Sequence, residues 1–222
     1  MERRKMVLGI YDTDLNGPWT LTEWSLSPAV YRSEMIPVPG RDGDLDASTI
    51  LTDGEPRYES RELYARFERS DGTRLEREAA INTMINWLDG WQLDIILPDD
   101  EGHYITGRLH VEKEYNDPAH AAVVVSGIVE PWRYNKNETV LAFTAEATEQ
   151  PARLTNNGRR TVVPYVEIIG DGASVNLVHG AASWALGPGT YQLPDLIVRQ
   201  GGADISYSGT GVVRFTYREA VL

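Results

Sequence analysis

The chain has 222 residues, 41% of them hydrophobic, no cysteine and a net charge of −12. That is enough apolar content to fill a core, which excludes a disordered polymer. The missing cysteines exclude a disulfide framework, a thiolate metal site and a cysteine nucleophile, and the negative charge argues against reading DNA through phosphate contacts.

The N-terminal MERRKMVLGIY is basic and then briefly apolar, but the apolar run stops at Asp12. It is expected to be neither a signal peptide nor a membrane span, since a span needs ~20 apolar residues. Next, DTDLNGPWTLTE fits the calcium-loop pattern: Asp12, Asp14 and Asn16 at the first, third and fifth places, Gly17 at the sixth and Glu23 at the twelfth. Helices should flank such a loop. Here MVLGIY and WTLTEWSL both read as β, and Asp-Leu-Asn-Gly is a strong turn signal. A β-hairpin or strand–turn–strand is therefore expected in place of a calcium site.

From Arg32 to Arg57 no period is sustained, and Pro37, Pro39, Gly40, Gly43, Gly54 and Pro56 interrupt the chain. A connection of this length is either functional or loose. Val38, Leu45, Ile50 and Leu51 give it apolar surface, so it reads as an arm packed on a neighbouring subunit or as a flexible loop. Within it, RDGDLDAS alternates Asp42, Asp44 and Asp46, with Asp53 at the twelfth place from Asp42. Ala47 stands where a calcium loop needs glycine, so a turn with Asx hydrogen bonds is expected.

RELYARFER puts Leu63, Ala65 and Phe67 on one strand face. TRLEREAAINTMINWLDG spaces Ile81, Met84, Ile85 and Leu88 as a helix over about 74–89, with a Thr73/Glu76 capping box and a stop at Gly90. WQLDIIL alternates Trp91, Leu93 and Ile95. After the turn PDDEG, YITGRLHVE aligns Ile105, Leu109 and Val111, so the two runs form a hairpin. AAVVVSGIV is continuously apolar and reads as a central strand covered on both faces. Residues 1–137 are thus a β-rich α+β domain with one helix.

Past PWRYNKNE the texture changes. Residues 138–222 hold 10 of the 20 glycines and short apolar runs, PYVEII, SVNLV, YQLPDLIV and GVVRFTY. They read as a small β-sandwich. The acidity is concentrated before it: residues 1–137 carry 25 acidic and 15 basic side chains, against 8 and 6 in residues 138–222.

No chemistry converges. Asp99 and Asp100 sit in a turn with no apolar wall to raise a pKa. His103, His110, His120 and His179 form no metal-binding pair. No nucleophile elbow or phosphate loop is present. The expectation is no catalytic residue, no metal site, no cofactor and no enzyme activity.

In order, WTLTEWSL, the Pro39–Gly43 element VPGRDGDLD, RYESRELYARFE, the lone helix, DIILPDDEGHYITGRLHVE, VVVSGIVEPWRY and a closing GTGVVRFTYREAVL resemble the distal tail proteins of siphophages, baseplate hub proteins. The resemblance implies a hexameric homo-oligomeric ring built by the N-terminal domain, with a galectin-like C-terminal β-sandwich. Its partners would be the tail tube protein, the tail-tip protein and a receptor-binding protein, with no specific nucleic-acid binding and no membrane. It also implies a place in the virion tail after synthesis in the bacterial cytoplasm, and a channel through which DNA passes. The ring contact is expected at Pro39, Gly40, Arg41, Asp42, Leu45, Ile50 and Leu51. The alternative is a carbohydrate-binding module for host cell-wall polysaccharide, with Trp184, Tyr191 and Tyr207 offering stacking faces.

Overall fold

Period-two alternation dominates the sequence, and the chain is accordingly mainly β. In the computed structural model, which describes residues 5–13, 19–50, 52 and 54–222, the chain divides into two units, Met1–Arg133 and Tyr134–Leu222.

The first unit runs β1 (Val7–Leu8), β2 (Tyr11–Asp12), β3 (Thr20–Leu26), β4 (Met35–Ile36), β5 (Leu45–Asp46), β6 (Arg61–Arg69), α1 (Arg74–Leu88), β7 (Gln92–Leu97), β8 (Asp100–Asn116) and β9 (Ala121–Asn135). Its main sheet has the order β2-β1-β7-β8-β9-β6-β3, and β4 and β5 pair separately. The helix begins where the capping box demands: Thr73 Oγ1 accepts from Glu76 N at 3.3 Å, and Thr73 N donates to Glu76 Oε2 at 2.6 Å. It ends at Asp89, with Gly90 in the left-handed region at φ +77°. Ile81, Met84 and Leu88 are fully buried against Leu63, Ala65, Phe67, Ile105, Leu109 and Val111 of the sheet. Each such apolar side chain contributes roughly 1.5–3 kcal/mol of gross burial free energy.

Several expectations need correction. The segments around the calcium-like pattern are β, but β2 and β3 are not paired with each other and lie at the two ends of the sheet path, so no hairpin joins them. Asp14, Asn16 and Gly17 lie outside the described residues. Trp91 is 62% exposed because β7 starts one residue after it. Asp100 is not an exposed turn residue: it opens β8, half-buried, and accepts from Arg133 at 2.8 Å with His103 Nδ1 at 2.7 Å. The continuous apolar run of β9 does lie centrally, between β8 and β6, yet Ile128 on its second face is 57% exposed.

Sequence patterning also missed Arg77. It continues the Ile81–Met84–Leu88 stripe by one turn and is 1% exposed. Its guanidinium donates to the carbonyls of Gly72 (2.6 Å), Asp117 (2.9 Å) and Pro118 (2.9 Å), tying the first turn of α1 to the β8–β9 turn. In that turn Asp117 Oδ1 accepts from the N–H groups of Ala119 and His120, at 2.8 and 2.6 Å.

The second unit contains β10 (Thr139–Ala145), β11 (Gln150–Leu154), β12 (Tyr165–His179), β13 (Ala182–Leu186), β14 (Gly189–Gln192), β15 (Ala203–Tyr217) and β16 (Ala220–Val221). PYVEII and SVNLV are not separate strands. They are the two halves of β12, joined through Gly170-Asp171-Gly172, where the register against β15 shifts between Ile169 and Ser174. Before the shift Val166 and Ile168 are buried; after it Ala173, Val175 and Leu177 are. A bulge thus changes which parity faces inward. The N-terminal half of β12 pairs β14 and its C-terminal half pairs β13, while β15 pairs β10 and β11 on its two halves. The sheet bends at the bulge into two layers around one core that includes Val166, Val175, Leu177, Val213 and Phe215.

Candidate functional site

The interval Arg32–Arg57 is a two-stranded ribbon that extends the β3–β6 ladder. Beyond the Leu26–Leu63 pair the hydrogen bonds continue: Ser27 N to Glu62 O (2.9 Å), Glu59 N to Val30 O (2.8 Å), Arg32 N to Arg57 O (2.8 Å) and Ala47 N to Glu34 O (2.7 Å). An isolated bridge joins Tyr31 and Tyr58, and Tyr58 packs edge-on against Trp132 with ring centroids 5.2 Å apart. Arg61 Nε donates to Ser27 O at 2.6 Å. The root is therefore held on both strands.

Farther out, Met35 pairs with Asp46 and Ile36 with Leu45. Asp46 Oδ1 accepts from Ser48 N at 2.9 Å, an Asx turn of the kind the sequence suggests. Hydrogen bonds from the Ser48 hydroxyl and backbone N–H hold the Asp46 carboxyl below its ordinary range. At the tip Arg41 N donates to Val38 O at 3.2 Å across Pro39-Gly40, with Gly40 at φ +79°. Proline followed by a positive-φ glycine is type II turn chemistry.

Pro39, Gly40, Arg41, Asp42, Leu45 and Ile50 are all exposed on this ribbon; Leu51 lies outside the described residues. The apolar side chains are not folded back on their own unit. Met35 is 55% exposed and Ile50 65%, and Ile36, Val38 and Leu45 are exposed too. Five such side chains on one thin ribbon exceed the scattered apolar exposure of an ordinary surface.

The same unit carries an open groove of about 930 Å³ across β3, β6, β9 and β8. Tyr64, Ser126 and Ile128 are among its lining residues, with Glu62, Asp89 and Arg108 among the polar ones. Asp89 accepts from Val111 N at 2.9 Å and contacts His110 Nδ1 at 2.7 Å. The Val111 N–H, and then His110, hold its carboxyl below the ordinary range. Sequence reading missed this groove, whose walls come from four separate strands. The one available signal was the apolar run AAVVVSGIV, which contains Ser126 and Ile128.

Among the described residues no three His, Asp or Glu side chains gather into a possible metal site. Lys5 pairs with Asp12 at 3.1 Å, and Glu23 lies on β3. No helix among the described residues is long and apolar enough to cross a membrane. Of the candidate sugar-stacking rings, Tyr207 is buried, and Trp184 and Tyr191 pack against the core of the second unit. Tyr191 further donates its hydroxyl to Gly187 O at 3.0 Å.

No family model matches the chain, and no curated protein does. Among solved structures, the chain is similar over 98% of its length to 99% of the Dit protein (gp 19.1) of phage SPP1, at 14% identity and a TM-score of 0.66. That protein is described as a paradigm of the hub adsorption apparatus in phages infecting Gram-positive bacteria. The chain therefore shares the fold of that phage hub protein over nearly its whole length.

Proposed function

We propose that this chain is a structural component of a phage tail, a distal tail protein that forms a ring hub. The ring joins the tail tube to the tail tip and lets DNA pass through its centre. Its place is the virion tail, after synthesis in the bacterial cytoplasm. The observation that carries this reading is the whole-length likeness to the SPP1 hub protein, which spans both units. The exposed apolar ribbon supports it, because such a surface suits burial against another subunit. The excess of acidic residues before residue 138 supports a channel that does not retain DNA, since phosphate binding needs Lys and Arg.

Light scattering and particle images of the purified chain test the reading. Closed hexameric rings with a central hole are expected; a chain that stays monomeric with and without the tail-tip protein contradicts it. The polysaccharide-binding alternative gains nothing from the placement of Trp184, Tyr191 and Tyr207, all of which serve the core of the second unit.

A further inference from the structure

We propose that the outer edge of β10, in the second unit, receives an added strand from another protein: an extended segment, apolar at alternate residues, with Lys or Arg at its ends. This goes beyond the ring-hub reading and does not depend on it.

Four strands end the two layers of the second unit, β10 and β14 in one and β11 and β13 in the other. An edge strand turns half of its N–H and C=O groups outward, a template for further pairing, and proteins blunt such edges by shortness, proline or charge. Three of the four are blunted. β11 carries Pro151 and Arg153; β14 has four residues between Pro188 and Pro194; β13 has five and runs into Gly187-Pro188. β10 is not blunted. Its sequence TVLAFTA has seven residues with no charge, proline or glycine. All seven pair with β15, from Thr139–Tyr217 to Ala145–Gly211, without a register shift. Among the described residues, β15 is the only strand that pairs with it.

The core lies open at the same edge. Leu141 and Phe143 stand opposite Phe215 and Val213 of β15. Those two β15 side chains are fully buried, whereas Leu141 and Phe143 are half-buried at the rim of the same core. One more strand lays alternate side chains over that rim while its backbone extends the ladder. Strand addition of this kind draws affinity from main-chain hydrogen bonds and specificity from the alternate side chains.

Charge selects the occupant. Glu138 and Glu146 flank β10. A second copy pairing antiparallel about Ala142 sets each Glu138 opposite a Glu146, and like charges directly opposite are unfavourable. Lys or Arg at the ends of the added strand meets both carboxylates instead. Glu138 already pairs with Arg218 at 3.0 Å, while Glu146 is exposed, so the larger charge effect belongs to the Glu146 end.

The probe is the capped, fluorophore-labelled peptide Lys-Val-Thr-Val-Thr-Val-Thr-Val-Lys, titrated with the full-length chain and read by anisotropy. Saturable binding is expected. N-methylation separates a paired strand from a merely apolar ligand. Methylating either the valine or the threonine amides should weaken binding about tenfold or more, because one set faces β10, and methylating the other set should change it less than about twofold. Glu146→Lys, at an exposed position, should weaken the lysine-ended peptide about fivefold and favour a glutamate-ended one by a similar factor. No binding, equal loss from both methylated peptides, or indifference to Glu146→Lys overturns the proposal. The chain has no cysteine, so Ala142→Cys reports on the other occupant. Rapid Ala142–Ala142 disulfide linkage between copies, suppressed by the peptide, assigns the edge to a second copy and overturns the choice of partner. Ring formation is read separately in particle images, so the two readings fail independently.

Discussion

Gly209 passes so close beneath Ser174 that a Cβ on it would lie 2.0 Å from the Ser174 carbonyl oxygen. Gly209 is also at φ +132°, a conformation that side chains rarely adopt. This approach lies where β12 and β15 bend. Gly209→Ala should therefore destabilise the second unit by about 3 kcal/mol or more. Gly172→Ala, at φ +66° with open space around it, should cost only about 1–2 kcal/mol. Calorimetric unfolding of the full chain compares them. Equal losses would show that the bend tolerates a side chain.

Arg77 makes a second long-range link. Removing its side chain leaves the carbonyls of Gly72, Asp117 and Pro118 without this donor and opens space beneath α1. Arg77→Ala should cost about 3 kcal/mol, from unmade hydrogen bonds and a cavity together. Arg77→Met keeps the packing of the stem and should cost less. Urea midpoints of the two variants decide this, and indistinguishable values would mean that the stem contributes little.

Acid sensitivity follows from the carboxylates that accept hydrogen bonds. The His120 N–H, then that of Ala119, lowers the Asp117 pKa; the Thr73 backbone does the same for Glu76. A folded pKa below the unfolded value of about 4 gives stability that is present above that value. It is lost as pH falls through the folded one. The urea midpoint should thus hold near neutrality and decline below about pH 4. Asp117→Asn keeps an oxygen acceptor for the turn but cannot titrate, so its decline should be shallower. An unchanged decline would remove Asp117 from the account.

Much of the first unit is legible because its signals are local. Thr73 and Glu76 lie three residues apart, and Leu63, Ala65 and Phe67 alternate within one strand. The bend of β12 was hidden because Gly170-Asp171-Gly172 spells a turn, and only pairing with β15 shows that the strand continues. Arg77 was hidden because an arginine at the start of an apolar stripe normally marks the solvent side; two of its three acceptors, the carbonyls of Asp117 and Pro118, lie about forty residues away. For the ribbon, Val38, Leu45 and Ile50 marked an apolar arm, but its route follows from the Ser27–Glu62 rung, a contact between distant residues. The groove is less legible still, since Leu26, Tyr64, Arg108 and Ile128 share no local pattern.

The ribbon can be tested without disturbing the fold. Met35→Ser, Val38→Ser and Ile50→Ser combined change only exposed side chains, so the melting temperature of the single chain should barely move. Assembly should be lost, as read by light scattering. A large fall in thermal stability would mean that these side chains pack on their own unit. Unimpaired assembly would place the subunit contact elsewhere.

The central claim is that this chain builds a ring through its first unit. Particle images of the purified full-length protein test it most directly. The account predicts closed six-fold rings with an open centre. Uniform single chains, in the presence of the tail-tip protein as well as alone, would contradict it.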